Sequence, residues 1–366
     1  MDLIFGWRTA VLTVAAAILL PLALALSTSL RNRLAARTLA ALLVVMTGVF
    51  VPWLIGFAGF YDRWWWLTFA PFSNALLVPP LLYLHARALV DGAWPRSGWR
   101  HLLPGIVQFA YQSGAFLLPL PLKRRWSDIA FSASDTLVAL LLAASFVVYG
   151  TRTIRLLRAY RAALAQERSD DARFATASLA RTAAVLPVLA IVWAGYLLVN
   201  VVTPLGYAGL MPLYVAIAAF ALYLGIAGWR YLVLPFPTRD QLRITAAPAP
   251  PPGRDWQAQG QEWAARTRAG GWYREEALSL RRLASLLATN ESYLSRALNE
   301  GLGLGFSEFV NGLRCEDVAT TLRSGDTRPL LEIALDAGFA SKASFNRAFQ
   351  RRYGLSPSAY RTSHKP

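Results

Sequence analysis

The sequence predicts an all-α protein: a seven-helix transmembrane bundle, then a cytoplasmic domain of two helix-turn-helix units joined by a connecting helix. Three observations predict it. Apolar residues make up 55% of the 366 and charged residues only 16%, and residues 10–30 and 182–229 carry no charge at all. Near Leu280 the apolar spacing narrows from saturation to the stripe of a small amphipathic helix. That narrow pattern then occurs a second time. The boundaries that follow are residues 1–233 for the membrane domain, 234–271 for a Pro-rich linker with a lead-in helix, and 272–366 for the helix-turn-helix domain.

Charge alone identifies no partner. The formal net charge is +16, but residues 1–245 account for +12, residues 246–271 for +1 and the remainder for +3. The excess is mostly arginine flanking apolar segments, where retention on the cytoplasmic side is its cause. Cys315, the single cysteine, excludes an intramolecular disulfide framework and any multi-cysteine metal site. Its neighbours Arg314 and Glu316 read as a helix surface. The first segment lacks a small-residue cleavage pattern and reads as a retained span.

About 20 apolar residues cross roughly 30 Å of hydrocarbon, and such windows fall at 8–29, 38–60, 64–86, 102–121, 129–150, 183–203 and 210–232. The last two share one uncharged stretch, divided at Thr203-Pro204-Leu205-Gly206 where Pro and Gly punctuate the chain. The loops after windows one, three and five hold thirteen arginines, against five basic residues on the other side: Arg8, Arg63, Lys123, Arg124 and Arg125. By the positive-inside rule the N-terminus lies outside and the C-terminal domain in the cytoplasm of a cell bounded by this inner membrane. Trp64, Trp65 and Trp66 read as an interfacial belt. The arginine-rich helix after window five reads as a solvated stalk with Ile154, Leu157, Tyr160 and Leu164 on one stripe.

Polar side chains at span depth are costly in lipid and mark a bundle interior. Asn74, Gln108, Gln112, Asp135 and Asn200 are therefore the candidate sensor residues. The three histidines, His85, His101 and His364, are scattered, and neither a carboxylate pair nor a phosphate loop accompanies them. The sequence carries no catalytic constellation and calls for no cofactor or metal.

Beyond the spans, Leu234-Pro235-Phe236-Pro237 and the Pro-rich run 247–253 predict a semi-rigid spacer. Leu280, Leu283, Ala284 and Leu287 then form the first scaffold helix, Ala288-Thr289 a turn, and Asn290 the cap of a second helix whose Leu294, Ala297 and Leu298 face inward. Ser292, Ser295 and Arg296 are left outward, a set suited to base edges in a major groove. The second copy places Ile333, Ala334 and Ala337 inward, turns at Gly338-Phe339, caps at Ser341 and buries Phe345, Ala348 and Phe349. Lys342, Ser344, Asn346, Arg347 and Arg351 point outward. Phe306, Phe309, Val310, Leu313 and Leu322 outline the connecting helix, in which Gly312 costs roughly 1 kcal/mol against Ala.

Between Tyr273 and Arg361 the chain resembles the AraC/XylS transcription regulators. The run from Gly338 to Phe349, then Tyr353-Gly354-Leu355-Ser356-Pro357 and Tyr360-Arg361, is similar to that family's C-terminal signature. Tyr293-Leu294-Ser295-Arg296 and Asn299-Glu300-Gly301-Leu302-Gly303 match its first unit. The resemblance implies double-stranded promoter DNA as partner and places Ser292, Ser295, Arg296, Lys342, Ser344, Asn346 and Arg347 at DNA-facing positions; Arg351 joins them as an outward basic residue of the same helix. The resemblance covers nothing before Tyr273; domain order and topology predict a one-component, membrane-held regulator of transcription, with the bilayer, an unidentified signal ligand and a second copy as further expected partners. The competing reading is a multi-span receptor or transporter whose C-terminal module binds protein.

Overall fold

The computed structural model describes residues 3–30, 32–170, 206–232 and 255–364, with isolated positions between them. Among these the chain is helical, with no strand and one isolated antiparallel bridge between Arg168 and Ser279. It divides into two compact units: Met1–Leu157 with Ala177–Thr238, and Arg158–Thr176 with Arg239–Pro366. Asn200, the window 183–203 apart from isolated positions, and the Pro-rich run 247–253 lie outside the described residues.

In the first unit α1 (Trp7–Ser27) and α2 (Arg33–Phe57) match the first two windows. A single turn, α3 (Phe60–Arg63), leads to α4 (Val78–Asp91), α5 (Leu103–Phe116) and α6 (Leu120–Glu167), and α7 (Gly206–Leu232) completes the unit. α2 packs against α1, α4 and α7, burying Leu39, Leu42, Leu43 and Phe50. At Gly225 and Gly228 an added Cβ would run into Leu22 and Leu39, so small residues bring α7 close to its neighbours.

Four helices among the described residues are long and apolar enough to cross a membrane: Trp7–Ser27, Arg33–Phe57, Ser134–Glu167 and Gly209–Arg230. The windows 64–86 and 102–121 are corrected by this. The first is broken into short 3-10 turns at Trp65–Leu67 and Ala75–Leu77 before α4, and the second reduces to α5. Each helix has 14 residues, about 21 Å at 1.5 Å per residue, short of the hydrocarbon thickness. Proline is the cause: it sits in the first turn of both helices, where it starts helices and cannot continue one. A hydropathy window does not register that.

The break explains two of the candidate sensor residues. Backbone freed from a helix must find other partners in an apolar setting. Asn74 Nδ2 donates to the Gly105 carbonyl at 3.0 Å, while Gln108 Oε1 accepts from Leu76 N at 3.1 Å and its Nε2 donates to Ser73 O at 3.5 Å. Both side chains are buried and staple the irregular 73–77 stretch to α5. Asn74 Oδ1 and the Gln112 carbonyl oxygen are left without a hydrogen bond. Asp135 is exposed on α6 and does not join this cluster. Lys123, which counted against the orientation, is 3% exposed and donates to the Trp66 carbonyl at 2.9 Å. Its charge is therefore held by the fold and is not a free loop charge.

α6 runs unbroken for 48 residues, and its last turns, from Arg158 onward, belong to the second unit. Tyr160 and Leu164 are buried, as the stripe required, but so are Glu167, Ser169 and Asp170. The end of this helix is packed protein, which corrects the solvated stalk.

The second unit comprises α8 (Trp256–Ala269), α9 (Leu280–Leu286), α10 (Glu291–Arg296), α11 (Phe306–Arg323), α12 (Leu330–Asp336), α13 (Lys342–Tyr353) and α14 (Pro357–Ser363). It has two cores on one helix. Phe306, Phe309, Val310 and Leu313 of α11 enter a core with Leu280, Leu283, Leu294 and Leu298. Cys315, Val318, Ala319 and Leu322 of the same helix enter a core with Ile333, Phe339, Phe345 and Phe349. α11 is continuous through Gly312, beside which there is open space.

Candidate nucleic-acid interface

The two helix pairs are built alike down to the backbone. α9 ends at the cap Leu287 and reverses at Ala288, φ +54°; α12 ends at Ala337 and reverses at Gly338, φ +95°. In each turn the following amide reaches back to the helix: Thr289 N to Ala284 O at 2.9 Å, and Phe339 N to Ala334 O at 3.0 Å. This αL reversal satisfies the last carbonyls of the scaffold helix. The second helix of each pair is then capped by a side chain. Asn290 Oδ1 accepts from Tyr293 N at 2.8 Å, and Ser341 Oγ from Ser344 N at 3.2 Å. The stripes read from the sequence are buried in both copies, except Ala348, which is half-buried.

The outward residues are not equivalent. On α13, Lys342, Asn346, Arg347 and Arg351 are exposed, while Ser344 is half-buried and hydrogen-bonded to Ser341 at the cap. On α10, Ser292 and Ser295 are half-buried, and Arg296 bonds Glu300 Oε1 at 2.9 Å with its guanidinium over the Trp256 ring at 5.6 Å. Arg296 is thus drawn sideways toward α8 by an ion pair and a cation–π contact, each worth about 1 kcal/mol or less when exposed.

Sequence reasoning missed α8's role. Its Gly260 and the Gly301 of the π-helical turn that follows α10 sit where an added Cβ would strike Ala297 O and Trp256 O, so α8 lies backbone to backbone against the end of α10. The two glycines were the available signal. It also misread Arg314 as helix surface. Arg314 is 1% exposed; Nε donates to Tyr273 O at 2.7 Å, Nη2 to Glu275 O at 2.7 Å and to Ser169 Oγ at 3.1 Å, and Nη1 to Asn311 Oδ1 at 3.2 Å. Burial pulls its pKa down to about 10, with Asp170 opposing that, so it stays cationic at neutral pH. Cys315 is fully buried, and burial pushes its thiol up to about 12.

Two helix pairs of helix-turn-helix geometry, mounted on one shared helix, define a class of nucleic-acid-binding domain. Residues 283–363 match the family model described as a helix-turn-helix domain. An uncharacterised HTH-type transcriptional regulator of Staphylococcus aureus is 40% identical over 86 residues, which are 24% of this chain and 11% of that protein. The HTH-type transcriptional regulator MtrA of Neisseria gonorrhoeae is 31% identical over 87 residues, 24% of this chain and 29% of that protein. The chain thus spans well under half the length of these relatives. Among solved structures, the C-terminal domain of AraT, a response regulator from Geobacillus stearothermophilus, is similar at 29% identity with a TM-score of 0.26, over 28% of this chain and 87% of that one. The C-terminal part of the chain is a helix-turn-helix domain of the AraC type.

Proposed function

We propose that the chain is a membrane-anchored, sequence-specific DNA-binding regulator of transcription that couples a membrane or extracytoplasmic signal to promoter binding. The observation that carries this reading is the pair of capped helices on one continuous α11. Two helices held at a fixed separation can enter successive major grooves on one face of a duplex. Arg347 and Asn346 are the side chains suited to base edges, and Lys342 and Arg351 to phosphates. In the first helix-turn-helix pair Ser292, Ser295 and Arg296 take the corresponding role.

Membrane anchoring is supported by the apolar side chains left exposed on the long helices, among them Val14, Ile18 and Leu24 on α1, Leu137, Leu140 and Val147 on α6, and Ile226 on α7. Such a set is unfavourable in water and suits hydrocarbon. The topology is supported by the second unit, which contains both the end of α6 and residues 255–364: with these on one side, the chain crosses an even number of times between them. α7 is one crossing, and the apolar window 183–203 is the candidate for the other. Arg152, Arg155 and Arg158 at the end of α6 favour the cytoplasm for that side.

The test is binding of the full chain, in lipid nanodiscs, to duplexes carrying a randomised window. The reading expects enrichment of a defined sequence and an affinity that falls steeply with salt. Substrate flux or protein capture that Arg296→Ala and Arg347→Ala leave unchanged would favour the receptor or transporter reading instead.

A further inference from the structure

We infer that the end of α6 and the residues after it, 166–170, are a built-in competitor for DNA at the first reading helix, docked on it in this conformation and displaced before both units can bind. The inference rests on the DNA-binding reading above.

The docked segment reaches the turn that ends the first reading helix. Asn299 Nδ2 donates to Gln166 Oε1 at 3.4 Å and to Ser295 Oγ at 3.2 Å. Asn299 follows Ser295 by one helical turn, so Gln166 sits at the edge of the surface that would face base pairs. A major groove about 12 Å wide admits one α-helix, itself 10–12 Å across with its side chains. A reading helix with a second helix bonded to its edge is too broad to enter. Among the described residues no such contact reaches Lys342, Asn346, Arg347 or Arg351 of α13, which are exposed.

The dock is specific. Ser169 N and Oγ both donate to Leu278 O, at 3.1 and 2.9 Å, and Asn311 Nδ2 donates to Ser169 O at 3.3 Å. Arg314 Nη2 donates to Ser169 Oγ, and the Asp170 carboxylate favours the buried guanidinium. The dock is also reversible by construction. Without the segment Arg314 keeps the Tyr273 and Glu275 carbonyls and Asn311, so the domain retains its core and most of its buried-charge compensation. Glu167 opposes docking: it is buried with Oε2 lacking a hydrogen bond, and the Glu291 carboxylate at the start of α10 repels it while Arg281 attracts it. A contact that combines good hydrogen bonds with a buried carboxylate facing the half-buried Glu291 is poised to let go. Because these residues continue α6, the lever that would pull them away is covalent.

The experiment uses the full chain in nanodiscs and a duplex library with a randomised window of about 30 base pairs, roughly three turns. Ser169→Arg sets a second cation against Arg314 and expels the segment; DNA affinity is expected to rise by about tenfold or more if the undocked form is a minor species of about a tenth. In a second variant Gln166→Cys is joined to Asn299→Cys by a short bis-maleimide. Linking is expected to lower affinity and flatten its salt dependence to that of one unit, compared with the same variant left unlinked. Protection of the buried Cys315 thiol reports that the domain is folded; if Ser169→Arg loses it, the linked and unlinked comparison decides. Linked and unlinked forms binding alike would overturn the inference and leave DNA binding standing. Failure of every form to enrich any sequence would overturn both.

Discussion

Gly338→Ala tests the reversal on which the second unit depends. At φ +95° an alanine meets the left-handed penalty, about 1–2 kcal/mol, offset by about 0.4–1 kcal/mol from a less flexible unfolded chain. The larger effect is steric. The new Cβ would lie 2.6 Å from the Arg274 carbonyl oxygen and 2.8 Å from its Cα; these are backbone atoms, so the turn or the 272–274 segment must move, adding about 1–3 kcal/mol as overpacking. The net expectation is about 2–4 kcal/mol against the second core. Cys315 offers the assay, since it shares that core with Phe339 and its thiol is unreactive while buried. Alkylation through local opening scales with the opening equilibrium when reclosing is fast, so the rate should rise from about thirtyfold to several hundredfold at 1.4 kcal/mol per decade. A rise below about threefold would refute the packing described around Gly338.

Ala288→Gly, at the same place in the first unit with φ +54°, removes left-handed strain in a residue that already fits, and is expected to raise the unfolding midpoint or leave it unchanged. Gly312→Ala adds a methyl where nothing lies within 4 Å and should stabilise α11 by up to about 1 kcal/mol, read as slower Cys315 alkylation. Gln108→Leu strands the Leu76 amide in an apolar setting, at about 1–3 kcal/mol, and should raise protease cleavage near residues 73–77 in membranes. A reporter fused after Arg243 should be active on the cytoplasmic side only.

The helix-turn-helix domain was legible because its signals are local: apolar residues at three- and four-residue spacing, an amide or hydroxyl at each cap, and in the second pair a glycine at the turn position of positive φ. The membrane half was legible only as composition. Windows 64–86 and 102–121 hold enough apolar residues to span, yet Pro79, Pro80 and Pro104 begin new helices there, and Asn74 and Gln108, expected at a sensor, are seen to repair the broken backbone. Arg314 was misread because a guanidinium two residues before Glu316 reads as helix surface, whereas its partners, Tyr273, Glu275 and Ser169, come from other segments. Gln166 and Ser169 gave no signal at all. They look like ordinary polar residues until a fold brings them to a helix more than a hundred positions away.

Most direct for the central claim is cross-linking of the full chain to chromosomal DNA in its native membrane, followed by recovery of the bound fragments. The account predicts a few discrete sites sharing one sequence, recovered with the membrane fraction, and their loss on Arg347→Ala as about 1–3 kcal/mol of base recognition disappears. Recovery of no enriched site, or of sites unaffected by Arg347→Ala and Asn346→Ala together, would contradict it.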